Sequence, residues 1–194
     1  MDDAVRLVHE AVDAGITFFE NCWEYYNGKT ENWLGRALRG RRDKVFLMTK
    51  VCTHGRSGQL ALQMLEESLR RLQTDHLDLW QIHAIVYDND PELAYAAGGV
   101  LEAFDQAKKQ GKARFVGFTS HKDPAFHLKM LGPARQRRSP GAGAASPSPS
   151  KGRSHDQSWF LITTGVGLGS AVTECVPADP SGARTPTVSS PSVK

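Results

Sequence analysis

Residues 45–50 read VFLMTK, a short apolar run that ends in a lysine. Three other runs have the same form and end in a residue able to do proton or carbonyl chemistry: ITFFE at 16–20, LDLWQIH at 77–83 and ARFVGFTS at 113–120. The four terminal residues are Glu20, Lys50, His83 and Ser120. Successive members of this set are 30, 33 and 37 residues apart, about the length of one strand, one crossover helix and the return. The spacing predicts a parallel β/α barrel, in which chemistry gathers at the C-terminal ends of the strands.

The intervals between these runs carry helical periodicity. Strands are predicted at residues 16–19, 45–49, 77–82 and 113–118. Helices are predicted at 2–14, at 30–38, along 62–72, at 99–110 and from Pro124 to Leu131. Alternating strands and helices of this length predict right-handed crossovers and a parallel sheet. The predicted fold class is α/β, of the (β/α)8 TIM-barrel type but truncated to about four β/α units, because a complete barrel takes about 250 residues.

The pattern stops at Gly132, and the sequence divides there into two unlike parts. Residues 1–132 carry 17 Lys and Arg against 18 Asp and Glu, whereas residues 133–194 carry 7 against 3, together with eight of the ten prolines. The first part is predicted to be a partial barrel domain and the second a low-complexity, disordered tail. The abrupt change without a linker suggests three hypotheses, namely a shifted reading frame, a spliced terminus or a truncated protein.

Composition limits the classes of function. The net charge of +3 belongs to the tail, whose cations are sparse and lack interleaved aromatics, so no specific nucleic-acid binding is expected. Cys22, Cys52 and Cys175 form no CxxC pair and have no histidine at zinc-ligand spacing, so structural thiols and no metal site are expected. No apolar run reaches the ~18 residues needed to span a bilayer, and the acidic, amphipathic N-terminus is unlike a signal peptide. A cytoplasmic protein without a membrane partner is the expectation.

The strand ends carry motifs that occur together in one family. These motifs are FFENCWEYYNG at 18–28, LMTK at 47–50, DLWQIH at 78–83 and ARFVGFTSH at 113–121. An acid, a tyrosine five residues later, a strand-end lysine and a strand-end histidine follow in this order at barrel spacing, which is specific as a set. Residues 1–131 resemble the aldo-keto reductase family, whose members are NADPH-dependent carbonyl reductases built on a (β/α)8 barrel.

The resemblance implies a role for each matching residue. Tyr25 matches the general acid, Lys50 the ammonium that lowers the pKa of the phenol, and His83 a neutral imidazole that donates a hydrogen bond to the carbonyl oxygen. Glu20 stands where the family has Asp, so its carboxylate fixes the lysine from one methylene further out. Tyr26 leaves the register of the acid ambiguous, although the five-residue offset favours Tyr25.

The resemblance also implies a cofactor and a substrate class. Ser120 matches the family's contact to the nicotinamide carboxamide, and His121 replaces the Asn that follows it in the family. The implied cofactor is NADPH/NADP, and the implied substrate is a small-molecule aldehyde or ketone that is reduced to an alcohol.

Each of these side chains also has a structural interpretation. In it, Lys50 extends to solvent, His83 is a satisfied buried histidine, Glu20 is a loop charge and Tyr25 is a wall aromatic. The HGR segment at 54–56 is interpreted as a solvated loop. The alternative function is a catalytically inactive partial barrel that acts as an interaction or oligomerisation module, because an exposed sheet edge favours self-association.

Overall fold

The computed structural model describes residues 2–138. Their helices and strands are, in chain order, α1 (Asp2–Asp13), β1 (Phe18–Glu20), α2 (Lys29–Ala37), β2 (Phe46–Val51), α3 (Gly58–Leu72), β3 (Leu77–Ile82), α4 (Asp90–Tyr95), α5 (Val100–Lys109), β4 (Ala113–Phe118) and α6 (Pro124–Arg138). Two short 3-10 helices, Tyr25–Gly28 and Arg42–Lys44, lie after β1 and before β2. No helix in this described range is long and apolar enough to cross a membrane.

The strands form one parallel sheet in the order β1-β2-β3-β4. Glu20 is in register with Met48, Lys50 with Gln81, and Gln81 with Gly117. Because all four strands run in the same direction, their C-terminal ends meet at one edge, which we call the C-terminal edge. The predicted parallel α/β architecture is confirmed in the described residues.

The apolar core lies between one face of the sheet and the helices. Trp80 of β3 is 1% exposed, and its ring centroid lies 4.6 Å from that of Phe104 in α5. Leu47, Leu65 and Val116 are fully buried in the same cluster. Burial of each large apolar side chain contributes roughly 1.5–3 kcal/mol, so this layer holds α3 and α5 against the central strands.

A buried carboxylate joins α2 to α3 and β2. Glu31 is 0% exposed, and its Oε1 accepts hydrogen bonds from Thr49 Oγ1 at 2.7 Å and Ser68 Oγ at 2.8 Å. Its Oε2 lies 3.3 Å from Nη1 of Arg71, which also donates to the carbonyl oxygen of Trp23 at 3.0 Å. A buried charge is tolerated when it is paired and hydrogen-bonded. Here the pairing also fixes the loop that follows β1.

Strand β1 differs from its prediction. The sequence predicts a buried strand at 16–19, whereas β1 begins at Phe18, and the side chains of Ile16 and Phe18 are 53% and 45% exposed. The strand pairs only with β2 within the described residues, because it stands at the edge of the sheet. These apolar side chains therefore mark a free sheet edge.

Two helices also differ from the prediction. Helix α4 has no counterpart among the predicted elements, although Asp90 and Pro91 in its first turn are helix-start signals. Helix α6 is predicted to end by Leu131 but continues to Arg138, because residues 134–138 are mostly good helix formers. The predicted boundary at Gly132 thus falls inside a helix. The remainder of the predicted disordered tail, residues 139–194, lies outside the described residues.

Gly35 of α2 packs directly against the backbone at the end of α3. A Cβ at this position would lie 2.5 Å from the Arg71 carbonyl oxygen and 2.7 Å from Leu72 Cα. Alanine is the better helix former by about 1 kcal/mol. Gly35→Ala should nevertheless lower the free energy of unfolding by about 1–3 kcal/mol, because the backbones have to separate. Urea denaturation followed by circular dichroism measures this change.

The control for this prediction is Gln106→Ala at an exposed position of α5, which should change the free energy of unfolding by less than about 0.5 kcal/mol. A Gly35→Ala protein as stable as the parent would contradict the close approach of α2 and α3.

Candidate active site

An ion pair between a buried lysine and a partly exposed glutamate joins β1 and β2 at the C-terminal edge. Lys50 is 1% exposed, and its Nζ donates to Glu20 Oε1 at 2.5 Å and to the Asn21 carbonyl oxygen at 2.8 Å. The Glu20 side chain, at the end of β1, is 36% exposed. The interpretation of Lys50 as a side chain that extends to solvent is therefore wrong. Glu20, although one methylene longer than the Asp of the family, contacts Lys50.

Tyr25 begins the short 3-10 helix that follows β1. The next three residues, Tyr26, Asn27 and Gly28, have φ angles of 48°, 54° and 79°, a left-handed conformation that is costly for residues other than glycine. Tyr25 is 38% exposed and faces the ion pair, with its ring centroid 5.2 Å from Nζ of Lys50. Tyr26 is 76% exposed. The geometry favours Tyr25 over Tyr26 as the acid.

The Tyr25 phenol is a weaker acid in this structure than the resemblance implies. Burial raises the pKa of Tyr25 to about 12, with further contributions from Cys22 and from the carboxylates of Glu20 and Glu24. The ammonium of Lys50 lies over the ring and is held by acceptors at the end of β1. The expected lowering of the phenol pKa by Lys50 is therefore not found, and the phenol is protonated at neutral pH.

His83 follows β3 and contacts two side chains of the loop after β1. Its Nδ1 lies 2.7 Å from Glu24 Oε1 and 3.2 Å from Cys22 Sγ. The imidazole is edge-on to the Tyr25 ring, with 5.8 Å between the centroids. Burial and the charge of Lys50 lower the pKa of His83, although the Glu24 carboxylate acts in the opposite direction. The imidazole is therefore mainly neutral at pH 7.

The contact with Glu24 decides which ring nitrogen of His83 carries the proton. A carboxylate only accepts hydrogen bonds, so Nδ1 is the donor and, in the neutral ring, Nε2 is an acceptor. This arrangement differs from the expectation of a neutral His83 that donates to a carbonyl oxygen, because donation from Nε2 then requires a second proton. The sequence assigns no role to Glu24, since strand periodicity does not link residue 24 to residue 83.

The segment after β4 reaches the loop after β3. Ser120 is 3% exposed, and its Oγ donates to the Ile85 carbonyl oxygen at 2.6 Å. The ring of His121 is edge-on to that of His83, with 5.9 Å between the centroids. His121 thus lies against His83. The Ser120 hydroxyl donates its proton to a backbone carbonyl oxygen, so towards a ligand it can only accept a hydrogen bond.

Within the HGR segment His54 is exposed, as expected of a solvated loop, whereas Arg56 is buried. The Nε of Arg56 lies 2.9 Å from Asp90 Oδ1, and its Nη2 donates to the carbonyl oxygens of His83 and Ala84, each at 3.0 Å. The other oxygen of Asp90 accepts two backbone N–H groups of the same loop. The pair holds the loop that carries His83. Its partners are 34 residues apart, so the sequence gives no signal of their contact.

Comparison with known proteins identifies the family of the chain. The model of the Aldo/keto reductase family matches residues 1–135, which is more than half of the chain. The chain belongs to the aldo/keto reductase family. Methylglyoxal reductase YeaE of Escherichia coli (strain K12) is 40% identical to it over 116 residues, which are 60% of this chain and 38% of the relative. L-galactose dehydrogenase of Arabidopsis thaliana is 33% identical over 126 residues, which are 61% of this chain and 38% of the relative.

Solved aldo/keto reductases have the same arrangement of strands and helices. The structure of an aldo/keto reductase from Klebsiella pneumoniae in complex with NADP and acetate aligns with a TM-score of 0.58 at 28% identity, covering 67% of this chain and 43% of that one. The holo form of aldo-keto reductase AKR11C1 from Bacillus halodurans aligns with a TM-score of 0.52 at 31% identity, covering 60% of this chain and 40% of that one. The chain spans about two fifths of the length of the curated relatives it matches.

Within this candidate site, Glu24 should control the pKa of His83. Glutamine at position 24 removes the charge that raises this pKa and leaves burial and Lys50 unopposed. In Glu24→Gln the pKa of His83 should therefore be lower than in the parent protein. An NMR titration of the His83 ring proton measures it, with His83→Gln used to assign the resonance.

Asp75→Asn is the control for this titration, because it removes the exposed carboxylate beside a different histidine, His76, at 2.6 Å. It should leave the His83 titration unchanged. An unchanged or higher His83 pKa in Glu24→Gln would show that the carboxylate is not the partner of this imidazole.

Proposed function

We propose that this chain supplies the acid–base part of an NADPH-dependent aldo-keto reductase that reduces aldehydes or ketones to alcohols. The observation that carries the proposal is the meeting of four residues from three strand ends, Glu20, Tyr25, Lys50 and His83. The ion pair is 2.5 Å long, and the Tyr25 ring lies 5.2 Å from the ammonium and 5.8 Å from the imidazole. Membership of the family and the NADP complex of the Klebsiella pneumoniae relative add support.

Tyr25 is the proton donor in this proposal. Reduction of a carbonyl leaves negative charge on its oxygen, which a positioned O–H group stabilises and protonates. With a pKa of about 12, the phenol carries its proton at neutral pH. Glu20 holds the Lys50 ammonium 5.2 Å from the centre of the Tyr25 ring, where its positive charge attracts the phenolate, although burial and the nearby carboxylates keep the pKa of the phenol high.

His83 orients the reacting oxygen. In the tautomer set by Glu24 its Nε2 accepts a hydrogen bond, which suits the hydroxyl of an alcohol. The doubly protonated ring donates instead, which suits a carbonyl oxygen. The protonation state of His83 therefore decides whether the ring suits the alcohol or the carbonyl form of the substrate.

Ser120 and His121 are the proposed cofactor contacts of the site. NADPH supplies the hydride when it is bound. The Ser120 hydroxyl can accept a hydrogen bond, because its own proton goes to the Ile85 carbonyl, and a carboxamide N–H is a donor that fits it. His121 lies against His83 and so places this segment beside the acid–base groups. These two residues would hold the nicotinamide carboxamide.

Tyr25→Phe tests the proposed function. The variant keeps the ring and loses the proton, so kcat for carbonyl reduction should fall about 10²–10⁴-fold. The assay follows NADPH oxidation with a panel of small aldehydes and ketones. NADPH binding, measured by fluorescence titration, should be unchanged because the hydroxyl is not a proposed cofactor contact.

Tyr26→Phe is the matched control, because it removes the same hydroxyl one residue away at a position that is 76% exposed. Its kcat should equal that of the parent. Full turnover by Tyr25→Phe would remove Tyr25 from the mechanism, and a loss confined to Tyr26→Phe would transfer the role to its neighbour.

A second candidate function, an interaction module without catalysis, is favoured by the free sheet edge. Strand β1 pairs with β2 alone among the described strands, and Ile16 and Phe18 are 53% and 45% exposed. The rings of Phe18 and Phe46 stack at 5.3 Å, so the apolar surface continues from this edge onto β2. Unpaired backbone groups beside apolar side chains favour pairing with another strand, and here a second copy of this chain is the proposed partner.

Lysine substitutions at this edge test the second function. If β1 mediates self-association, the double variant Ile16→Lys, Phe18→Lys should shift the protein from oligomer to monomer in analytical ultracentrifugation, because charged edge strands resist pairing. Leu7→Lys, at a position on α1 that is 67% exposed, is the control and should leave the oligomer intact. A parent chain that is monomeric and binds NADPH saturably would rule out this alternative.

A further inference from the structure

Three donor groups of different chemistry meet beside the Lys50–Glu20 pair, and the proposed reaction does not use all of them. They belong to Cys22, Glu24 and His83, and their ligand atoms lie within 4.8 Å of one another. Nδ1 of His83 is 3.2 Å from Cys22 Sγ and 2.7 Å from Glu24 Oε1. Thiolate, carboxylate and imidazole are the groups from which proteins build zinc sites.

Different parts of the sheet hold these three side chains in place. Cys22 is 0% exposed, and its Sγ lies 3.7 Å from the carbonyl oxygen of Lys50 on β2. His83 follows β3, and Arg56 anchors its carbonyl oxygen. The Glu24 side chain is 28% exposed, which gives ions a path from solvent. Donors that the fold positions, together with an entry path, are requirements of a metal site.

The two contacts of His83 Nδ1 need only a small expansion to fit a tetrahedral ion. With bonds of about 2.0 Å to nitrogen and oxygen and about 2.3 Å to sulfur, neighbouring ligand atoms lie about 3.3–3.6 Å apart. The contacts of 2.7 and 3.2 Å at His83 Nδ1 are hydrogen-bond distances. Replacing the shared proton by a cation therefore separates these atoms by less than about 1 Å.

A second group of donors shares the same carboxylate. Glu24, Cys52 and His54 also bring their ligand atoms within 4.8 Å of one another. Cys52 is buried, whereas His54 is exposed. This group is a neighbour of the first, with Glu24 in common. It is also an alternative position for the ion, which the experiment has to distinguish from the first group.

We propose that Cys22, Glu24 and His83 bind a thiophilic divalent cation, for which zinc is the best-fitting ion. On binding, the Cys22 thiol releases its proton to solvent, and the proton on Nδ1 of His83 is replaced by the cation and transfers to Nε2 through solvent. The expectation of no metal site considered only spacing along the sequence, whereas two of these donors follow β1 and the third follows β3. Binding of the cation does not depend on the proposed reductase reaction.

Cobalt(II) and zinc titrations of the full chain test the site. They are made on Cys175→Ser protein, because Cys175 lies outside the described residues. Cobalt should give a near-ultraviolet thiolate charge-transfer band that saturates at one ion per chain, and zinc should displace it. Cys22→Ser should abolish the band. Glu24→Gln and His83→Gln should each weaken zinc binding at least about tenfold.

Two further variants make the result specific. His76→Gln removes a histidine–carboxylate pair with a similar distance, 2.6 Å to Asp75, but without a thiol, so zinc binding should be unchanged. A cobalt band that survives Cys22→Ser and disappears in Cys52→Ser would place the ion on the second group and overturn the proposal. A parent chain without a saturable band would overturn it as well. If Cys22→Ser fails to fold, an undiminished zinc affinity of Glu24→Gln would overturn the proposal.

Discussion

The buried ammonium of Lys50 is the constraint on which the C-terminal edge depends. A charge that is 1% exposed is tolerated only when it is paired and hydrogen-bonded. Both of its acceptors, Glu20 and the Asn21 carbonyl oxygen, lie at the end of β1. Because β1 has three residues and one neighbour among the described strands, this contact strengthens a short ladder. It also fixes where the loop with Tyr25 begins, so the docking of β1 on β2 and the placement of the acid arise from the same interaction.

The electrostatics of the site favour a single protonation state for each of its two central groups. Burial, with Cys22, Glu20 and Glu24, raises the pKa of Tyr25, whereas burial and Lys50 lower the pKa of His83. Adjacent groups whose pKa values are pushed apart are a common sign of divided acid and base roles. The Glu24 carboxylate acts on both groups. This residue, to which the resemblance assigns no role, therefore links the phenol to the imidazole.

The sequence predicts the sheet well and the side-chain partnerships poorly. Strands β3 and β4 begin and end at the predicted residues, because each is a short apolar run that follows a helix. The convergence of the strand-end residues was also predictable, since it follows from parallel direction alone. The pairs Arg56–Asp90 and Glu24–His83 are 34 and 59 residues apart, and no periodicity connects such partners. The raised pKa of Tyr25 is not predictable from the sequence for the same reason, because it depends on neighbours that only the folded loop brings together.

Adjacent residues of β2 serve opposite faces of the sheet. Thr49 donates to Glu31 on the helix side, whereas Lys50 meets Glu20 on the other side. Side chains alternate along a strand, so a slip of β2 by one residue would turn the ammonium toward the helices and deprive Glu31 of its hydroxyl donor. Lys50 would lose Glu20, the partner of its buried charge, at a cost of about 3–5 kcal/mol, whereas Glu31 would keep only Ser68 and Arg71. The polar groups of the site therefore also select the native strand register during folding. A sheet that is paired out of register can still bury its apolar side chains but separates these groups from their partners.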